Sequence, residues 1–193
     1  MPAQRRIARS ARGIALGECA ALLGGDYHEE RFTALAILRE RFDRAGAAER
    51  ERIADLYLDR RAGVDNWDLV DSSAPYLLAE RARADPGLLD RLARSERLWD
   101  RRIAILASFA FIREGDLDPT FELSLALLRD HHDLIHKAVG WMLREAGKRD
   151  PARLREFLAD NAGRMPRTAL RYAIERLERD EREHWMSRPR TIG

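Results

Sequence analysis

In the stretch Val64-Asp65-Asn66-Trp67-Asp68-Leu69-Val70-Asp71, an indole and a carboxylate stand four residues apart. Asp65 or Asn66 reads as an N-cap and an apolar-periodic run follows, so a helix begins here. Four residues is about one helical turn, which puts Trp67 and Asp71 on one face. Leu69, Val70, Ala74, Leu77 and Leu78 supply the buried side and leave the pair near its edge. There an aromatic plate and an acid can both meet a ligand: the carboxylate offsets positive charge, and the indole face receives an electropositive edge. The same spacing also suits an Asp that favours the helix dipole beside a Trp that packs, and on spacing alone that reading is the better one.

Two further places carry unusual residues. Arg101-Arg102 follows Trp99-Asp100, and Arg102 lies three residues past Trp99 and four before Leu106, at the margin of an apolar face. Its bland reading is a solvated arginine. Trp141 follows Gly140 within Lys137-Ala-Val-Gly-Trp-Met-Leu-Arg-Glu145, where a packed core Trp is the ordinary fate. His132 and His136 have the i,i+4 spacing of metal ligands, but no Cys is near and no third ligand is evident, so no metal is expected. A glycine-rich phosphate loop is absent, which argues against a nucleotide cofactor. Cys19 sits in an apolar run without a recognisable His partner, so thiol catalysis has no support.

The elements that must position these residues are helices. Ala, Leu, Arg and Glu dominate the 193 residues and β-branched residues are scarce, which predicts an all-α fold. The length suits one domain, 1–193, with 1–12 and 187–193 loosely ordered. Pro/Gly punctuation divides the chain into about ten helices: Ile14–Leu23, Tyr27–Arg44, Ala47–Arg60, Trp67–Ala84, Leu88–Ala93, one from Ser95 to Gly115, Phe121–Leu128, Leu134–Ala146 stopped at Gly147, Arg153–Leu158 and Arg167–Glu183. Longer and shorter members alternate. Equivalent points in the longer ones, Arg31, Val70, Arg102 and Ala138, recur roughly 30–40 residues apart, the spacing of HEAT-type helical pairs. Such pairs stack into an α-α superhelix with a concave surface. The helices starting near 27, 66, 97 and 134 would form that surface, and they hold the unusual residues.

Charge narrows the partner. The 35 basic and 33 acidic residues leave a net +2, and all the cations but Lys137 and Lys148 are arginines. Arginine suits bidentate phosphate contacts, so a phosphate-bearing partner is allowed, though a basic face must come from folding rather than bulk charge. Residues 1–25 hold four arginines (Arg5, Arg6, Arg9 and Arg12) and one acid, Glu18. That run has the pattern of neither signal peptide nor anchor, and no apolar run approaches a membrane span. A single cysteine fits a reducing cytoplasm.

Four blocks together carry a resemblance: Tyr27-His-Glu-Glu-Arg-Phe-Thr-Ala-Leu-Ala-Ile-Leu38, Asn66-Trp-Asp-Leu-Val-Asp71, Leu98-Trp-Asp-Arg-Arg-Ile-Ala-Ile-Leu106 and His136-Lys-Ala-Val-Gly-Trp-Met-Leu-Arg-Glu145. In order and spacing they resemble the AlkD family of HEAT-like DNA alkylation repair enzymes, over residues from about 25 to 180. The resemblance implies a monomeric, cofactor-free glycosylase that hydrolyses the N-glycosidic bond of cationic N3- and N7-alkylpurines in duplex DNA without base flipping. It implies Asp71 as the catalytic acid, Trp67 as its aromatic partner, Arg102 on the phosphate side rather than Arg101, and Trp141 as a second aromatic. Tyr27, Lys137, Arg144, Lys148 and Arg171 complete the expected DNA contacts. Asn66 stands where many members have another aromatic, and the region before the first expected helix looks short for a DNA-gripping helix. Two other readings stay open: an inert HEAT protein that binds distorted DNA, and a scaffold that binds a protein through Trp67 and Trp141.

Overall fold

A computed structural model describes residues 2–189, with the side chains of residues 2–5 excepted; the Arg5 side chain and the end of the tail expected to be loose, 190–193, lie outside what is described. Every regular element among the described residues is helical, so the fold is all-α. The chain divides into two compact units, 1–88 and 89–193.

The first unit holds α1 (Pro2–Ser10), α2 (Leu16–Leu23), α3 (His28–Phe42), α4 (Ala47–Asp59), α5 (Trp67–Leu77) and α6 (Ala79–Ala84), with a 3-10 turn at Arg61–Gly63. The central α3 packs against α1, α2, α4 and α5. Phe32, Leu35, Ile37 and Leu38 from α3 are buried with Ile53, Ala54 and Tyr57 from α4 and Leu69, Val70, Ala74 and Leu77 from α5. These apolar positions fall at helical spacing, so each helix buries one stripe and leaves the other to solvent. α1 occupies part of the span expected to be loose. Its arginines mask a short apolar edge: Ala8 is fully buried although Ile7 is half exposed.

The second unit holds α7 (Leu88–Ala93, which spans the division), α8 (Leu98–Ala107), α9 (Phe109–Glu114), α10 (Asp118–Ala126), α11 (Asp133–Arg149), α12 (Pro151–Asn161), α13 (Arg167–Ala173) and α14 (Arg179–Ser187). Here α11 is the hub, packing against α8, α9, α10, α12 and α13. Its start is capped by His132, whose Nδ1 accepts from the Leu134 amide, and Asp150 caps α12 through the Arg153 amide. Asp150-Pro151 opens α12 because a proline at the first helical position gives up no needed donor.

Several expected boundaries moved. Gly147 does not stop α11: a Cβ there would collide with the Leu154 side chain, so the glycine serves helix packing. The Trp67 helix ends at Leu77 and resumes at Ala79, and the Ser95–Gly115 helix divides at Ser108. Ser108 Oγ donates to the Ile105 carbonyl and accepts from Thr120 Oγ1, and this buried local bonding accompanies the break. Gly115 ends α9 in the left-handed region, φ 89°, which a residue with Cβ rarely adopts.

Candidate active site

In the first unit the sequence places an indole and an acid on one turn, and α5 keeps them there. Asn66 is its N-cap by backbone geometry, although its side chain makes no capping bond, and Trp67 is the first helical residue. Leu69 and Val70 are fully buried and pin the helix. Trp67 is 53% exposed, and Asp71 is half-buried. Both line one open cavity of about 590 Å³.

The wall opposite α5 comes from α3. Phe32, Ala36, Arg39, Glu40 and Asp43 follow one stripe at i, i+4, i+7, i+8 and i+11, and all line the cavity. Tyr76, Ser72 and Asp68 join Trp67 and Asp71 from α5, and Ala8 and Arg9 come from α1. Four carboxylates face two guanidinium groups, so the lining is acidic on balance. Arg39 is largely spent on its neighbours. Its guanidinium carbon lies 3.4 Å from the Tyr76 ring centroid, and Nε lies 3.0 Å from both Asp43 oxygens. An aromatic cavity with excess negative charge favours a cation, through the carboxylates' field and the ring faces.

Two ties run between the start of α3 and the start of α5. His28 Nε2 lies 2.9 Å from Asp68 Oδ2, and Arg31 Nη2 lies 3.3 Å from Asp65 Oδ1. Arg31 Nη1 also donates to the carbonyls of Gly25 and Asp26. The α3 stripe and the His28–Asp68 tie were missed in the sequence. The stripe was legible as helical spacing, whereas the tie joins residues forty apart and leaves no local signal. Tyr27, expected at a DNA contact, is 70% exposed at the N-cap of α3, outside the cavity lining.

The remaining expected residues lie in the second unit. Lys137, Trp141, Arg144 and Lys148 occupy i, i+4, i+7 and i+11 of α11 and form one stripe. Each has a protein partner. Lys137 Nζ lies 2.9 Å from Asp133, Trp141 Nε1 donates to Glu145 Oε1 at 3.2 Å, Lys148 Nζ lies 2.7 Å from both Glu145 oxygens, and Arg144 pairs with Glu175. The hydrogen bond from Lys137 holds the Asp133 carboxyl below its usual range, helped by Thr168. Arg171 is exposed on α13, beside a 540 Å³ cleft that Arg179 and Arg182 also line.

Arg102 departs from expectation. Instead of standing at the margin of an apolar face it is buried, 5% exposed, and Nη1 donates to the Leu134 carbonyl of α11 at 2.5 Å. The periodicity around Trp99 and Leu106 placed it at a margin, whereas α11 covers that position. Arg102→Ala is therefore expected to destabilise by about 1.5–3 kcal/mol, the worth of a charge-assisted bond, with lost packing in addition. A thermal melt checks this; an unchanged midpoint would mean that the buried guanidinium contributes nothing to stability. Arg101 is a latch. Nε lies 2.5 Å from Asp130 Oδ2, and Nη1 donates to the carbonyls of Ser95 and Glu96.

Among the described residues no group of three His, Cys, Asp or Glu side chains could hold an ion. His132 caps α11, and His136 Nε2 lies 2.5 Å from the Asp130 carbonyl. Cys19 is buried, and burial pushes its thiol up, away from the reactive thiolate. No described helix is long and apolar enough to cross a membrane.

An all-α protein with a carboxylate–indole pair in an acidic, aromatic cavity and a cationic helical stripe is the class these features define. Residues 1–177 match the model of the DNA alkylation repair enzyme family, and the chain belongs to that family. The fold is similar to the solved structure of a predicted DNA alkylation repair enzyme from Enterococcus faecalis. The TM-score is 0.71 at 18% identity, covering 90% of this chain and 82% of the other. No curated protein matches the sequence.

Proposed function

We propose that the protein is a DNA glycosylase that hydrolyses the N-glycosidic bond of cationic N3- and N7-alkylpurines in duplex DNA, without flipping the base. The observation that carries this is the pairing of Trp67 and Asp71 at an acidic, aromatic cavity in a member of an alkylation-repair family. A cationic base leaves as a neutral molecule once it takes the electron pair of the C1′–N bond, so no general acid is needed. The barrier lies in the oxocarbenium-like sugar, to which water adds with loss of a proton. Asp71 offsets that developing charge and orients the water, while the Trp67 face receives the electropositive sugar edge. One charge pair at ~4 Å is worth about 4 kcal/mol at an effective dielectric near 20, roughly a thousandfold in rate.

Phosphate contacts fall to the cations of the second unit, Lys137, Arg144, Lys148 and Arg171, with Trp141 as an aromatic contact among them. The Asp133 hydrogen bond holds the Lys137 ammonium above its usual range, so Lys137 stays cationic, with the positive field of Arg102 a lesser, opposing influence. No cofactor enters this scheme, a monomer suffices for it, and a DNA substrate implies a cytoplasmic enzyme that is nucleoid-bound when engaged. Release of 7-methylguanine and 3-methyladenine from alkylated duplex tests the reading. Binding without release would favour an inert DNA-binding protein, and neither would favour a scaffold. Affinity for random duplex is expected to fall with salt, with a log–log slope of about −3 to −4 for four phosphate contacts. Lys137→Ala should reduce that slope by about one, whereas a flat salt response would exclude the phosphate role.

A further inference from the structure

We propose that His28 and Asp68 form a positioning pair for the Trp67–Asp71 turn, holding it in the orientation that excision requires; the inference rests on the glycosylase reading. The turn lacks two of the supports a helix usually supplies. At its start, the Asn66 side chain makes no capping bond. At its end stands Pro75, which lies inside α5 and has no N–H to give to the carbonyl of Asp71, four residues before it. The ring also crowds the turn that carries that carbonyl. A tie from outside the helix therefore adds to what its own bonds supply.

Asp68 is the residue placed to receive that support. It lies one position after Trp67 and three before Asp71, and all three line the same cavity. His28, in the first turn of α3, holds Oδ2 at 2.9 Å, with the Asp68 side chain 14% exposed and His28 34% exposed. Oδ1 is buried and has no hydrogen-bond partner among the described residues. A buried carboxylate bonded through one oxygen alone is costly, so this is a poor device for stability. It is a good device for direction. The His28 tie fixes the rotation of α5 about its axis, and with it the angle at which the indole and the second carboxylate meet the cavity. The Ser72 hydroxyl, donating to the Asp68 carbonyl at 2.6 Å, braces the same turn. The Arg31–Asp65 tie fixes the preceding loop, and its half-exposed carboxylate belongs to no helix. His28 touches no reacting atom in this scheme; it acts through Asp68.

The test is single-turnover release of 7-methylguanine by the full chain, with duplex affinity and a melt for each variant. His28→Ala is expected to slow release about ten- to a hundredfold, the scale of a misplaced reacting group, with affinity within about twofold of wild type. His28→Gln keeps an N–H at similar reach and should recover most of the rate. Asp68→Ala should match His28→Ala, and the double variant should be no slower than either, because one interaction is lost in all three. The proposal is overturned if His28→Ala lowers the melting midpoint but releases base at the wild-type rate, which is the signature of a purely structural contact. It is overturned as well if the two single losses multiply. A wild-type protein that releases no base sinks the glycosylase reading and this inference with it, whereas an active wild type matched by His28→Ala sinks the positioning role alone.

Discussion

Asp71→Asn is expected to keep the fold and the affinity for duplex DNA while slowing base release by roughly a hundred- to a thousandfold. Asn is nearly isosteric, and Asp71 sits half-buried at a cavity edge rather than in the core, so packing is preserved. What the amide lacks is the charge that offsets the forming sugar cation. The neighbouring carboxylates do not replace it: Glu40 is engaged with Arg44, Asp43 with Arg39, and Asp68 with His28. Affinity should hold or tighten slightly, since removing an anion lessens repulsion from phosphates. Single-turnover release measured beside a melt separates this from a structural role. A folded variant with wild-type release would end the mechanism, and a lowered melt with intact release would reassign Asp71 to the helix dipole.

The second large effect belongs to the frame. Asp130 is 4% exposed and pairs with Arg101, which is 12% exposed, while its Oδ1 also accepts from the His132 amide. Burial alone would raise its carboxyl, but the Arg101 and His132 hydrogen bonds outweigh that and hold it below the usual range. A group with a depressed folded-state value adds stability that is present above its unfolded value, about 3.9, and is lost as pH falls through the lower one. Asp130→Asn is therefore expected to cost about 3–5 kcal/mol at neutral pH, the penalty for leaving a buried charge without its partner. The gap from wild type should narrow as pH falls below about 4, where the unfolded chain's carboxylate takes up its proton first and the folded one follows only at its lower value. Denaturant titrations at neutral and acid pH measure both. A gap that stays constant with pH would mean that the ion pair is not the source.

The Trp67–Asp71 turn was legible because its information is local: both residues are read from spacing, and the burial of Leu69 and Val70 fits the face expected. Arg102 was not, because burial depends on what lies on top, and the covering helix α11 begins some thirty residues later. Helix α1 was hidden for a different reason. Its few apolar residues among arginines resemble a solvated tail until α3 supplies a surface for them. Glycine misled in one direction: Gly147 carries the usual mark of a helix end, yet it sits inside α11 because Leu154 needs its space. Where glycine marks a conformation instead of a contact, as at Gly115, the reading held.

The absence of a side chain at Gly140 has a wider consequence. A Cβ there would strike the Ala169 carbonyl and the Tyr172 Cβ, so α11 and α13 meet backbone to backbone at this point. The separation of the two helices is thereby set by a residue that carries no functional group. Lys137, Trp141 and Lys148, on the partly open stripe beside it, have no such duty. Exchange of those side chains alters what the surface recognises while the scaffold keeps its dimensions. Specificity and scaffold are thus separable here: substitutions on the stripe can change the ligand at little cost to the fold, whereas any side chain at Gly140 would have to push α11 and α13 apart.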